Sequence, residues 1–566
     1  MYEVVGGSLL IEGLKRLGVQ YVFGMPGFQL MSVYDAIYLS SGEIKHVLVH
    51  DEKSGAFMAD GYARISGKPG VCDATVGPGA TNLVSGVAES FYASTPLVAI
   101  TSDVRMEFVG KSPNQECDQV SIFRPIVKGS YTVLLPELIL DATHRAFHCA
   151  VSGRPGPVHL NLPENITYSK ISHDWEKEIR AFHPVTCPWT RPQPDAALAD
   201  KAISLLRSAQ RPVCIAGGGA LISQASEYLL QLVEKMHIPV ATSLTGKGAI
   251  PENHPLSISL CGRFDRYANR FIAESDLILV VGCKLGELVT SRWSMIPEGV
   301  DIIHIDIDAF EIHRNYRATI GIVADARSTL AALLETMGPG KQAELSENPR
   351  VREIALARQS WKQSVRNLTD DDTMPTNPAR ILKEIRSFMP DDGLLVLDGG
   401  LSTHWAGLFF DVRMAGRGFM PNRGQAAIGY GFPASLGAKL AAPHRTVVAF
   451  VGDGGFSMGL SEMETAVREN IPVIVVVNNN SGLGYVKALQ HSVFQKRYQS
   501  ADFLPLRFDR LAQEFGWRGI KIEQVQQIVP ELKKAMDSGQ PTVLDVPTTK
   551  DPGGMLPSRD PRAQRE

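Results

Sequence analysis

The stretch Gly452-Asp453-Gly454-Gly455 follows the apolar run TVVAFV, and the next apolar run, IPVIVVV, ends in three consecutive asparagines, Asn478 to Asn480. Glycine amides at the end of a buried strand, opening into a helix, make a cradle for phosphate. An acid inside that cradle repels a phosphate unless a cation lies between them. Amide oxygens at the neighbouring strand end are hard ligands of the kind Mg²⁺ takes, so the pair points to Mg²⁺ bound to a diphosphate. A lone GDG is better explained by a tight turn with no ligand; its pairing with NNN is what makes the pattern specific. A dinucleotide fingerprint G-x-G-x-x-G fails, because Ser457 stands where the third glycine belongs and no ribose-binding acid follows at the required distance.

GDG followed by NN at this spacing resembles the thiamine diphosphate motif of the pyruvate oxidase and acetolactate synthase superfamily. VHDEKSGAFMADGYARISGKPGV is similar to that family's HEQ, GYAR and GKPGV segment, TVGPGATN to its SGPGATN, and NQECDQVSIFRPIVK and GRPGPVHLNLP to later parts of its first domain. The likeness covers nearly the whole chain.

That resemblance implies roles for particular residues. Asp453, Asn480 and the carbonyl of Gly482 would hold Mg²⁺. Gly452, Gly454, Gly455, Gly484 and Ser402 would lie against the diphosphate of thiamine diphosphate. The carbonyl of Ala426 would accept from the aminopyrimidine, and Ile428 would wedge the cofactor into its bent form. Glu52 would hydrogen-bond the pyrimidine and activate it, from a mostly apolar pocket. The family's glutamate reaches the cofactor of a second chain, so a homodimer, or a homotetramer, is implied. Decarboxylation of a 2-keto acid, with transfer of the acyl unit to a second carbonyl compound, is the expected reaction.

Three substrate-pocket positions depart from acetolactate synthase. Leu489 replaces a tryptophan, Asn114 a phenylalanine, and Phe28 a glycine, while Gln115 is kept to orient substrate. Simple decarboxylation, or cleavage of a dione or 2-hydroxyacyl compound, is therefore the alternative; a degenerate regulatory paralogue is the reading outside catalysis. His50 and His404 could shuttle protons or serve as structural histidines. The middle segment, with Gly217, Gly218 and Gly219, resembles one that binds FAD, but CGRFDR replaces the flavin-contacting GMHG, which leaves FAD open and Arg263 and Arg266 either on an anion or on solvated surface.

These residues need buried strands to present them. YVFGMPG, VLVHDE, VCDATVGPGATN, LVAITSD and VHLNLP read as strands running into loops, followed by RPVCIAGGGAL, IPVATSL, DLILVVGCKLG and DIIHIDID, then LLVLDGG, TVVAFVGDGG, IPVIVVVNNN and PTVLDVP. The expected fold is α/β with three open parallel-sheet domains: a pyrimidine-binding domain over 1–175, a central FAD-domain-like unit over 190–340, and a diphosphate-binding domain over 375–550. Proline-rich and charged separators near 165–195 and 340–375 divide them.

Among 566 residues, 44% hydrophobic and 21% charged, a formal net charge of -3 with no basic run argues against a nucleic-acid partner. Seven cysteines without a CxxC pair argue against a disulfide framework or a zinc site. The N-terminal apolar residues alternate with charge at helical spacing, as neither a signal peptide nor a membrane span does. A cytoplasmic, membrane-free enzyme is expected.

Overall fold

In the computed structural model, residues 4–172, 174–338 and 344–555 are described; positions 339–343 of the second separator lie outside them. Three six-stranded sheets follow one another along the chain, every strand pair in them parallel. The first holds β1 (Tyr21–Gly24), β2 (Lys45–Leu48), β3 (Gly70–Ala74), β4 (Leu97–Asp103), β5 (Ser130–Thr132) and β6 (Pro157–Pro163), in the spatial order 2-1-3-4-6-5. The second holds β7 (Pro212–Ala216), β8 (Val240–Thr242), β9 (Ser257–Leu260), β10 (Leu277–Val281), β11 (Asp301–Asp306) and β12 (Ile320–Val323), ordered 9-8-7-10-11-12. The third holds β13 (Leu394–Leu397), β14 (Phe419–Met420), β15 (Val447–Gly452), β16 (Ile474–Asn479), β17 (Arg518–Lys521) and β18 (Thr542–Pro547), ordered 14-13-15-16-18-17. Val4–Val5 and Lys170–Ile171 form a small antiparallel pair that ties the ends of the first unit together.

Strands such as LILVV and TVLDVP are buried on both faces because helices cover both sides of each sheet. The central unit has its own cores, built around Leu229, Val281 and Ile303 on one face and Phe271 and Ile278 on the other. The first and third units share one core, in which Phe57, Met58, Tyr430 and Phe432 are buried together.

That shared core rests on the close approach of two helices, α1 (Glu52–Ser66) and α2 (Gly431–Ala441). A Cβ on Gly61 would lie 2.1 Å from the carbonyl oxygen of Ala434, and one on Gly437 1.9 Å from that of Met58. Only glycine permits backbones this near. Polar links join the two units around this crossing: Tyr430 donates to Asp60 at 2.7 Å, Arg64 donates to the Pro421 carbonyl at 2.7 Å, and Glu89 accepts from the amides of Gly424 and Gln425, both at 2.7 Å.

All seven cysteines are free, five of them buried. Among the described residues, no helix is long and apolar enough to cross a membrane.

Candidate functional site

Ligands of open α/β sheets bind beyond the carboxyl ends of the strands, where the strand order reverses. In the third sheet that point lies between β13 and β15, and a cavity of about 310 Å³ opens there. Ser402, Ala426, Ile428, Gly452, Asp453, Gly454, Gly455, Asn480, Gly482 and Gly484 all line it, so one wall set gathers every residue expected to touch the diphosphate or the metal.

Asp453 is buried at the end of β15 and spans two loops. Its Oδ1 accepts from the Gly454 amide at 2.9 Å and its Oδ2 from the Gly482 amide at 3.0 Å. Burial nevertheless pushes its carboxyl up to about 6, because two backbone donors do not replace the water it has lost. Strand alternation decides the asparagines. Asn479 turns away and donates to Asp545 at 2.8 Å, while Asn478 and Asn480 face the cavity. The Oδ1 atoms of both are buried without a hydrogen-bond partner. Asn480 Nδ2 is turned toward Gly484, where a Cβ would lie 2.6 Å away, so its oxygen is the atom left for a ligand. The Gly482 carbonyl already accepts from the Gly484 amide at 3.0 Å and keeps one lone pair. Among the described residues no cluster of three or more His, Cys, Asp or Glu side chains could hold a metal. A cation here would take one carboxylate, amide oxygens and a carbonyl, the donor set of a hard ion.

Asp398, at the end of β13, organises the opposite loop and was not singled out by the sequence reading. Its Oδ1 accepts from the amides of Gly399 at 2.8 Å, Tyr430 at 3.0 Å and Gly431 at 3.3 Å. A Cβ on Gly455 would come within 1.6 Å of its Oδ2, so packing against Asp398 already requires that glycine. LLVLDGG, an acid between a buried strand and glycines, repeats the signature of Asp453 and could have been read the same way. The same loop holds Ala426 at a φ of 59°, a strained conformation for a residue with a Cβ. Its neighbour Ala427 is fixed by Asn422, which donates to its carbonyl at 2.5 Å.

Glu52, Phe28, Asn114 and Gln115 gather elsewhere, at the order reversal of the first sheet. Glu52 begins α1 behind the cap Asp51, is buried, and accepts from Asn82 Nδ2 at 3.0 Å through Oε2. Its Oε1 lies 3.0 Å from where a Cβ on Gly79 would stand. Asn82, the last residue of GPGATN, is thus a polar neighbour in a pocket expected to be mostly apolar. Gln115, at a φ of 68°, accepts from Gln29 at 3.4 Å, and Thr75 donates to Gln29 at 2.8 Å. Phe28 is 70% exposed, and Asn114 is exposed beside Gln115. None of Glu52, Phe28, Asn114 and Gln115 lines the cavity of the third unit. Leu489 does not line it either; it sits one turn beyond Val486, which does, on the helix Gly484–Val493.

His50 is engaged between units, with its Nε2 at 2.8 Å from Glu464 and its amide donating to Glu462 at 3.1 Å. His404 lines the cavity, packed between the rings of Phe264 and Tyr485. Arg263 is buried, pairs with Glu287 at 3.1 Å and reaches the same cavity. Arg266 is neither solvated nor exposed: it pairs with Asp411 at 2.7 Å and lies over the Trp361 ring. The reversal of the central sheet opens a second space, about 290 Å³, lined by Gly217 to Gly219 and Gly282 to Leu285.

Three family models match the chain: the N-terminal TPP binding domain of thiamine pyrophosphate enzymes over residues 4–122, their central domain over 199–333, and their C-terminal TPP binding domain over 398–546. The chain is 35% identical to a probable acetolactate synthase large subunit of Methanocaldococcus jannaschii, across 98% of this chain and 93% of that protein. It is 36% identical to an acetolactate synthase of Arthrospira platensis, across 97% and 95%. Against the acetolactate synthase isozyme 3 large subunit of Escherichia coli the identity is 33%, across 95% and 93%.

Proposed function

The chain belongs to the thiamine pyrophosphate enzymes, and from that premise we propose that it decarboxylates a 2-keto acid and joins the acyl unit to a second carbonyl compound, in the manner of acetolactate synthase. The observation that carries this reading is the pair of buried, unpartnered oxygens of Asn478 and Asn480 beside Asp453. Buried acceptors without partners are costly, and a bound cation relieves the cost. Asp453, Asn480 Oδ1 and the Gly482 carbonyl would hold Mg²⁺. Gly452, Gly454, Gly484 and Ser402 would flank the diphosphate, and the Ala426 carbonyl with Ile428 would fix the ring system.

When bound, thiamine diphosphate supplies an electron sink for breaking the bond next to a carbonyl. The chain's own contribution is proton placement and shape. Asn82 occupies Glu52 Oε2, which leaves Oε1 to hold or release the proton shared with the pyrimidine. Ile428, 39% exposed within one chain, presents an apolar wall that excludes water from the reacting carbon. Glu52 does not line the cavity within one chain; in this reading it comes from a second chain, as in a homodimer or a homotetramer. Exposed Phe28, Met31, Tyr38 and Leu39 offer apolar surface for that contact.

A second reading, protonation of the acyl unit without an acceptor or cleavage of a dione or 2-hydroxyacyl compound, is favoured by Phe28, Asn114 and Leu489 at the acceptor positions. FAD, if it binds, would lie in the central groove beside Gly217 to Gly219; no step here uses it, and the absorption spectrum of the purified protein checks its presence. Cytoplasmic residence is part of the same proposal. The test is to load the protein with thiamine diphosphate and Mg²⁺, add pyruvate and other 2-keto acids, and follow CO₂ with carbon NMR of the products. Acetolactate-type products support carboligation, and aldehyde alone supports the second reading. Glu52→Gln should lower turnover by about 10²-fold or more with little change in melting temperature. Undiminished turnover in that variant would overturn the mechanism.

A further inference from the structure

Arg423 stands where the cavity of the third unit meets the central groove, and among the described residues it is the one lining residue the two spaces share. Its Nε and Nη2 atoms are buried without a hydrogen-bond partner. Burial pushes its guanidinium down to about 10. The nearest acid, Glu89, is already engaged by the amides of Gly424 and Gln425 and by Arg64 at 3.4 Å. The acids that line the cavity, Asp398 and Asp453, are engaged by backbone amides. The ring of Phe264, 5.6 Å below the guanidinium, holds it in place. Arg263, paired with Glu287 at 3.1 Å, lines the same cavity.

A desolvated guanidinium with two idle donors is a receptor for a planar oxyanion. The diphosphate loops, Gly452–Gly455 and Asn478–Gly482, line only the cavity of the third unit, whereas Arg423 also lines the central groove. The carboxylate that leaves as CO₂ is also a poor partner, since a cation paired with it would stabilise the ground state and oppose its departure. A carboxylate that the substrate retains has no such conflict.

We propose that Arg423, backed by Arg263, is an anion subsite that receives the distal carboxylate of a dicarboxylic 2-keto acid. The assignment rests on the 2-keto acid reading above and names its substrate class.

The test begins with the wild-type holoenzyme, loaded with thiamine diphosphate and Mg²⁺. Its kcat/KM for 2-oxoglutarate should exceed that for 2-oxopentanoate, a chain of equal length without the second carboxylate, by about tenfold or more. Equal values overturn the proposal. Glutarate, which cannot be decarboxylated, is then titrated calorimetrically into wild type, Arg423→Met and Arg423→Lys. Affinity should fall about tenfold or more in Arg423→Met and recover in part in Arg423→Lys, with melting temperatures confirming folded protein. Unchanged glutarate affinity in both variants overturns the subsite, as does a loss confined to bound FAD, which would place a dinucleotide phosphate on Arg423. Absence of turnover with every 2-keto acid, alongside Arg423-dependent glutarate binding, defeats the functional reading and leaves the subsite standing.

Discussion

Both ring nitrogens of His159 meet hydroxyls, Thr101 Oγ1 and Ser130 Oγ, each at 2.8 Å, and its ring stacks on Phe123 at 4.3 Å between centroids. Burial pushes the imidazole down to about 3. The folded chain therefore binds fewer protons here than the unfolded chain between pH 6.5 and about 3. Its contribution to stability is complete above 6.5 and is lost as pH falls through that window. Asp398 and Asp453, both raised to about 6, act oppositely in the cofactor-free protein: their contribution is largest at low pH and declines as pH rises from 3.8 toward 6. His159→Gln should flatten the acid limb of the stability curve, whatever its effect at neutral pH, and urea unfolding between pH 4 and 7 reads that slope. Asp453 and Asn480 were legible because their types are chemically unusual after apolar runs. Arg423 was not, since an arginine in a loop looks solvated until the fold shows Phe264 beneath it and nothing on its Nε.

The thirteen strands expected from apolar runs all form. Those missed within the three sheets, Ser130–Thr132, Ser257–Leu260, Ile320–Val323, Phe419–Met420 and Arg518–Lys521, each sit at a sheet edge. An edge strand pairs on one side only and needs no long buried run, so its signal is weak. The crossing of α1 and α2 is likewise invisible in sequence, where Gly61 and Gly437 read as ordinary helix weaknesses. Gly437→Val should cost on the order of 3 kcal/mol, because the opposing atom is the backbone of Met58 and cannot swing aside. Differential scanning calorimetry checks this, with Gly539→Val as a control, where no atom stands within 4 Å although its φ of 62° adds strain of its own.

At the scale of the molecule, the order reversals of the central and third sheets each open a space, and only the latter holds the expected metal and diphosphate residues. If the working site takes Glu52 from one chain and Asp453 from another, two dead variants should cure each other. Glu52→Gln and Asn480→Ala, denatured together and refolded, should recover about a quarter of wild-type activity, since random pairing gives half heterodimers with one intact site of two. A site contained in one chain would recover none.

The crossing helices also carry a message about symmetry. Each links the second and third strands of a sheet whose order is 2-1-3-4-6-5, so α1 and α2 are counterparts that meet through matching glycines. Contact between equivalent surfaces is the geometry of a twofold dimer. The chain thus contains, folded into itself, a handshake of the isologous kind.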